Sequence, residues 1–150
     1  MKFVIPDVGD DFMYEYNCKM VRVVDGDTVD VDIDLGFGVW MRNQRIRMYG
    51  IDTPESRTSD PIEKIYGKAA TAFLVKWTNG GGLKLITHKD GRGKFGRILG
   101  EIWCFDTNVN VKMIEEHHAV RYHGQSKQEI AEEHLANREI LRLHLVESFE

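Results

Sequence analysis

The chain has 150 residues, 42% of them hydrophobic and 29% charged, with two cysteines and a formal net charge of −4. That length suits one core able to bury about two-thirds of the unfolded surface, and no run reaches the roughly 18 apolar residues that a membrane helix needs. A disulfide-dense scaffold, a transmembrane chain and a uniformly basic polyanion binder are therefore excluded.

Residues 1–17 are acid-rich and irregular and are expected to form an arm or edge strand; residues 18–150 are expected to form a single domain. The opening M-K-F-V-I-P-D-V-G-D-D lacks the long apolar stretch of a secretory signal, so an intracellular location is expected. Cys18 to Val24 reads as a strand, Asp25-Gly26 as a turn, and the V-D-V-D-I alternation within Thr28 to Ile33 as a strand with one buried face. Asp30, Asp32 and Asp34 would then face solvent together. Gly36, Gly38 and polar Arg42 to Gln44 read as a loop before a third strand, Arg45 to Ile51, which stops at Pro54.

A polar loop, Ser56 to Glu63, leads into a helix over Tyr66 to Trp77, with Ala69, Ala70, Phe73, Leu74 and Trp77 at helical spacing and Asn79-Gly80-Gly81-Gly82 ending it. Leu83 to Thr87 and Arg97 to Phe105 read as strands four and five. Between Lys84 and Arg97 lie five bases (Lys84, Lys89, Arg92, Lys94 and Arg97) against one acid, Asp90, a local basic face that suits a polyanion. Asn108 to His118 reads as a short second helix. The third begins at Ser126, whose S-K-Q-E forms a capping box with Glu129, and is expected to turn Ile130, Leu135, Ile140 and Leu141 inward. Five strands and three helices in this order fit an α+β fold, mainly β barrel: a five-stranded Greek-key barrel of the OB type, a fold that often binds nucleic acids. Cys18 and Cys104 have no metal-ligand spacing and read as reduced thiols in packed strands.

Several chemistries fail on detail. The acidic run after Asp25 is not an EF-hand loop, because its glycine falls one place late and its twelfth position is Met41. Glu115 and His118 form a single Glu-x-x-His where a two-metal bundle needs two. His117, His118 and His123 lack a zinc signature, and neither a nucleophile elbow nor a phosphate-binding Gly-Lys-Ser/Thr loop is present.

Four motifs remain: D-G-D-T at Asp25–Thr28, R-I-R-M-Y-G-I-D-T-P-E at Arg45–Glu55, E-K-I-Y-G-K-A-A at Glu63–Ala70 and K-F-G-R-I-L-G-E-I at Lys94–Ile102. In order and spacing they resemble the staphylococcal nuclease (thermonuclease) family, and the match continues through Asn110–Tyr122. The resemblance implies a calcium-dependent phosphodiesterase on an OB barrel, acting on DNA, RNA or both as a monomer and leaving 3′-phosphate and 5′-hydroxyl ends. It implies that Asp27, Asp52 and the Thr53 carbonyl hold Ca²⁺, with Mg²⁺ or Mn²⁺ as alternative ions, and that Glu55 orients or deprotonates water. Arg47 and Arg97 would bind phosphate and stabilise the transition state; Lys94 and Tyr122 would contact substrate. Phe95 stands where the family commonly has tyrosine, removing a hydroxyl donor while keeping a stacking ring. The competing expectation is a non-catalytic nucleic-acid-binding OB module.

Overall fold

A computed structural model describes residues 14–88 and 98–147. Strand β1 (Glu15–Asp25) turns through Gly26 and Asp27 into β2 (Thr28–Gly36), which returns as β3 (Val39–Met48). The short β4 (Ile51–Asp52) precedes helix α1 (Pro61–Thr78), and β5 (Leu83–His88), β6 (Ile98–Cys104) and β7 (Thr107–Asn108) follow. Helix α2 (Val109–Glu115), β8 (Val120–Arg121), α3 (Lys127–Leu141) and α4 (Leu143–Glu147) complete the described chain.

The five long strands run in the order β3-β2-β1-β5-β6, and a parallel pairing of β3 with β6 closes them into a barrel. This is the expected OB-type α+β architecture, with four helices among the described residues rather than three. Period-two alternation builds it: Val29, Val31 and Ile33 of β2 point inward, as do Leu83 and Leu85 of β5. Glu15 pairs with Ile86 and Cys18 with Ile33 and Leu83, so β1 has neighbours on both sides and begins within the stretch read as an arm. Both cysteines are free; burial pushes the Cys18 thiol up to about 11.

Helix α1 plugs one end of the barrel with Tyr66, Ala70, Leu74 and Thr78, spaced four apart on one face. Leu74 is fully buried, so Leu74→Ala removes its contacts and leaves a cavity, at a cost of about 2–5 kcal/mol. The helix starts five residues before the expected Tyr66. Asp60 caps it by accepting from the Ile62 and Glu63 N–H groups, and Pro61 occupies the first turn, where its missing N–H costs nothing.

Three further expectations fail. Arg42 to Gln44 lie inside β3 rather than in a loop, and Gly50, at φ 78°, separates β3 from β4, so Arg45 to Ile51 is not one strand. Asp30 is 6% exposed rather than solvated, because Arg45 and Arg22 lie over it from the flanking strands. In α3, Leu135 and Ile140 are exposed and no residue is fully buried. Its half-buried stripe consists of Ile130, His134, Asn137, Arg138 and Leu141, so that mainly polar side chains face the barrel.

Candidate functional site

The β1–β2 turn, the end of β3, and β4 with the residues after it converge at one rim of the barrel. Asp27 is the second residue of the two-residue turn, and its backbone carbonyl accepts from Met48 N–H at 2.8 Å. Its carboxylate accepts at Oδ1 from Thr28 Oγ1 (3.0 Å) and at Oδ2 from Thr53 N–H (3.3 Å). Gly26 makes this approach possible: a Cβ there would lie 2.9 Å from both Thr53 Oγ1 and Ala70 Cβ. The turn therefore sits directly on the segment after β4 and on α1.

Arg47 joins the two acidic positions. Nη1 lies 3.5 Å from Asp27 Oδ2 and Nη2 lies 3.8 Å from Asp52 Oδ1, and Nη1 also donates to the Met48 carbonyl at 3.0 Å. Its side chain is 18% exposed, so one guanidinium is held at the rim with part of its fork still open to solvent. The two carboxylate contacts are long for charge-assisted hydrogen bonds, which leaves donor capacity for another anion.

Glu55 is exposed and follows buried Thr53 and Pro54. Its N–H reaches Glu63 Oε2 at 3.4 Å. Loss of water around its carboxyl raises the Glu55 pKa, and the charges of Asp25, Asp27, Glu63 and Asp52 raise it further. Helix α1 fixes this segment through backbone contact: a Cβ on Gly67 would fall 2.3 Å from the Glu55 carbonyl oxygen.

The structure thus brings Asp27, Arg47, Asp52, Thr53 and Glu55 to one rim. Tyr122 follows β8, which pairs with β4; its N–H donates to the Gly50 carbonyl at 2.8 Å and its side chain is exposed. Lys94 and Arg97, with Phe95, lie outside the described residues. The neighbour of Arg97, Ile98, opens β6 in register with Ile46, one residue from Arg47.

Three side chains near the site escaped sequence reasoning. Asp25 accepts from Gly26 N–H at 3.0 Å, and Glu63 contacts the Glu55 backbone. His134 of α3 lies with Nε2 2.8 Å from Asp52 Oδ2. Asp25 and Glu63 stand inside recognisable motifs, whereas His134 carried no signal beyond its place four residues after Ile130.

Asp27, Asp52 and Thr53 present oxygen donors only, a set that fits a hard divalent cation and not a thiophilic one. Among the described residues no group of three or more His, Cys, Asp or Glu side chains is arranged to hold a metal ion. The protein's share of a cation site here would be two carboxylates and neutral oxygens.

Comparison with known proteins identifies the family. The family model described as "Staphylococcal nuclease homologue" matches residues 45–141. The chain is 35% identical over 96 residues to a thermonuclease of Staphylococcus intermedius, covering 63% of this chain and 53% of that one. It is 33% identical over 103 residues to a thermonuclease of Staphylococcus hyicus, covering 68% and 57%. A probable staphylococcal-like nuclease of Oryza sativa subsp. japonica is 33% identical over 89 residues, covering 59% of this chain and 22% of that protein. The chain spans about half the length of the two thermonucleases. With the family match extending from Arg45 through α3, the chain belongs to the staphylococcal nuclease homologue family.

Proposed function

We propose that the protein is a Ca²⁺-dependent phosphodiesterase that cleaves DNA, RNA or both, leaving 3′-phosphate and 5′-hydroxyl ends. The observation that carries this reading is the placement of Arg47 against Asp27 and Asp52, with Glu55 on the same rim. Asp27, Asp52 and the Thr53 carbonyl would hold Ca²⁺, which when bound supplies positive charge to a non-bridging phosphate oxygen.

The chain's own groups perform the remaining work. Arg47 stays protonated at any physiological pH, and its planar fork matches two phosphate oxygens, so it neutralises charge as the phosphorus becomes five-coordinate. Arg97, supplied by the segment that leads into β6, acts on the same phosphate. Glu55 accepts a proton from the attacking water or orients it. Its backbone is fixed by α1, so its distance from the phosphate does not depend on a mobile loop. Lys94 and Tyr122 contact flanking parts of the substrate. Mg²⁺ or Mn²⁺ would occupy the same oxygen donors, with different preferred coordination geometries.

The test is cleavage of single-stranded DNA, duplex DNA and RNA by purified protein in Ca²⁺, Mg²⁺ or chelator, with end-group analysis. Arg47→Ala is expected to lower the rate by about 10³ to 10⁵, the range for arginines that stabilise a transferring phosphoryl group. Full activity in a folded Arg47→Ala protein would refute the assignment. An oligonucleotide that is bound but never shortened in excess Ca²⁺ would identify a binding module instead.

A further inference from the structure

Asp52 belongs to a strand of only two residues, and its side chain is 31% exposed. Nothing in so short a strand fixes the rotation of the carboxylate. The restraint comes from α3: His134 is 12% exposed and places Nε2 2.8 Å from Asp52 Oδ2, while the other carboxylate oxygen, Oδ1, faces Arg47. Histidine Nδ1 is buried without a partner, so the ring's single polar engagement in the described structure is with Asp52.

The support behind the ring is also built. Asn137, three residues along the same face, donates from Nδ2 to the Ala119 carbonyl at 3.3 Å. Ala119 precedes β8, and β8 pairs with β4 through Asp52↔Val120 and Ile51↔Arg121. Helix and carboxylate are therefore tied to the same short strand pair. The sequence offers no apolar reason for His134 to face inward, since leucine or isoleucine would fill the position without leaving Nδ1 unpaired.

We propose that His134 is a positioning residue for Asp52: it donates Nε2–H to Oδ2 and so presents Oδ1 to the rim as one oriented oxygen. This rests on the reading of Asp27 and Asp52 as Ca²⁺ ligands. A carboxylate tethered through one oxygen is pre-organised to bind a cation through the other, and outer contacts of this kind typically change metal affinity by about 10- to 100-fold when removed.

The experiment compares the full chain with His134→Ala, His134→Leu and His134→Gln. Ca²⁺ alone is titrated calorimetrically at fixed pH, and melting without Ca²⁺ confirms the fold of each protein. Ala and Leu variants are expected to bind Ca²⁺ about 10- to 100-fold more weakly, whereas Gln, whose amide nitrogen can donate to Oδ2, remains within about threefold of the parent. Leu fills the space without a donor, so it separates the hydrogen bond from packing should the Ala variant not fold. Parental Ca²⁺ affinity in the folded Leu variant overturns the proposal, as does a Gln variant as weak as Leu. A parent protein that binds no Ca²⁺ overturns the metal reading, and this inference with it.

Discussion

Asn110 is buried at 3% exposure and uses both ends of its amide. Oδ1 accepts from Ile102 N–H at 3.0 Å, and Nδ2 donates to the Tyr49 carbonyl at 2.8 Å and the Gly100 carbonyl at 3.2 Å. It thereby ties the start of α2 to β6 and to the turn between Arg47 and Asp52. Asn110→Ala removes this partner from the Ile102 N–H and the Tyr49 carbonyl, while the Gly100 carbonyl keeps the Tyr49 N–H at 2.8 Å, and should destabilise the fold by about 2–4 kcal/mol, measured by urea unfolding. His118 provides a pH test. Burial holds its pKa below the usual 6.5, outweighing the opposing charge of Glu116, with His117 adding to the lowering. The folded state therefore favours the neutral ring, and the stability linked to His118 is complete above pH 6.5. It is lost as pH falls from there through the folded value, because the unfolded chain takes up the proton first. Replacing it by Gln should flatten the fall in melting temperature between pH 7.5 and 5.5. At this scale the sequence singled out Arg47, Asp52 and Glu55, which the fold brings to one rim. It was silent on Arg45, whose bonds to Asp30 (2.9 and 3.1 Å) depend on the register of β2 against β3.

Helix α1 acts on the site as a rigid element. Its Gly67 touches the Glu55–Ser56 peptide, and Tyr66 beside it donates to the Arg138 carbonyl (3.3 Å) and meets His144 Nδ1 at 2.6 Å. One turn of α1 thus meets both the rim that carries Glu55 and the C-terminal helices. Alanine at position 67 would gain helix propensity in isolation, but here its methyl group collides with backbone, which cannot rotate away. Gly67→Ala should cost about 1–3 kcal/mol in denaturant unfolding, the range for overpacking, and should reduce cleavage by displacing Glu55. Helix boundaries were readable from chemistry: Asp60-Pro61 is a start signal, and Ser126 caps α3 by accepting from Glu129 N–H as its capping box implied. The buried face of α3 was not readable. Hydrophobic periodicity looks for apolar side chains, and the inner stripe of α3 contains His134, Asn137 and Arg138.

For the molecule as a whole, the barrel was the most legible feature, because strict alternation in β2 permits only one choice of inner face. Closure was less legible: the parallel β3–β6 pairing joins segments roughly fifty residues apart and leaves no local trace. If two carboxylates at the rim bind Ca²⁺, the cation should stabilise the whole fold. At about 100 times its Kd the gain is about 2.7 kcal/mol, or roughly 5–10 °C in melting temperature for a chain of this size, reversed by chelator. No such shift in excess Ca²⁺ would count against the metal assignment. The β5–β6 junction has a different consequence. His88 stands opposite Leu99, and Ile98 opposite Ile46, so the described ends of β5 and β6 lie beside each other. Residues 89–97 are the stretch of sequence between these two adjacent ends. Lys94 and Arg97 belong to that stretch. A change in the length or charge of that stretch is expected to leave the register of the strands around Asp27, Arg47 and Asp52 unaltered, because both flanking ends are paired within the barrel.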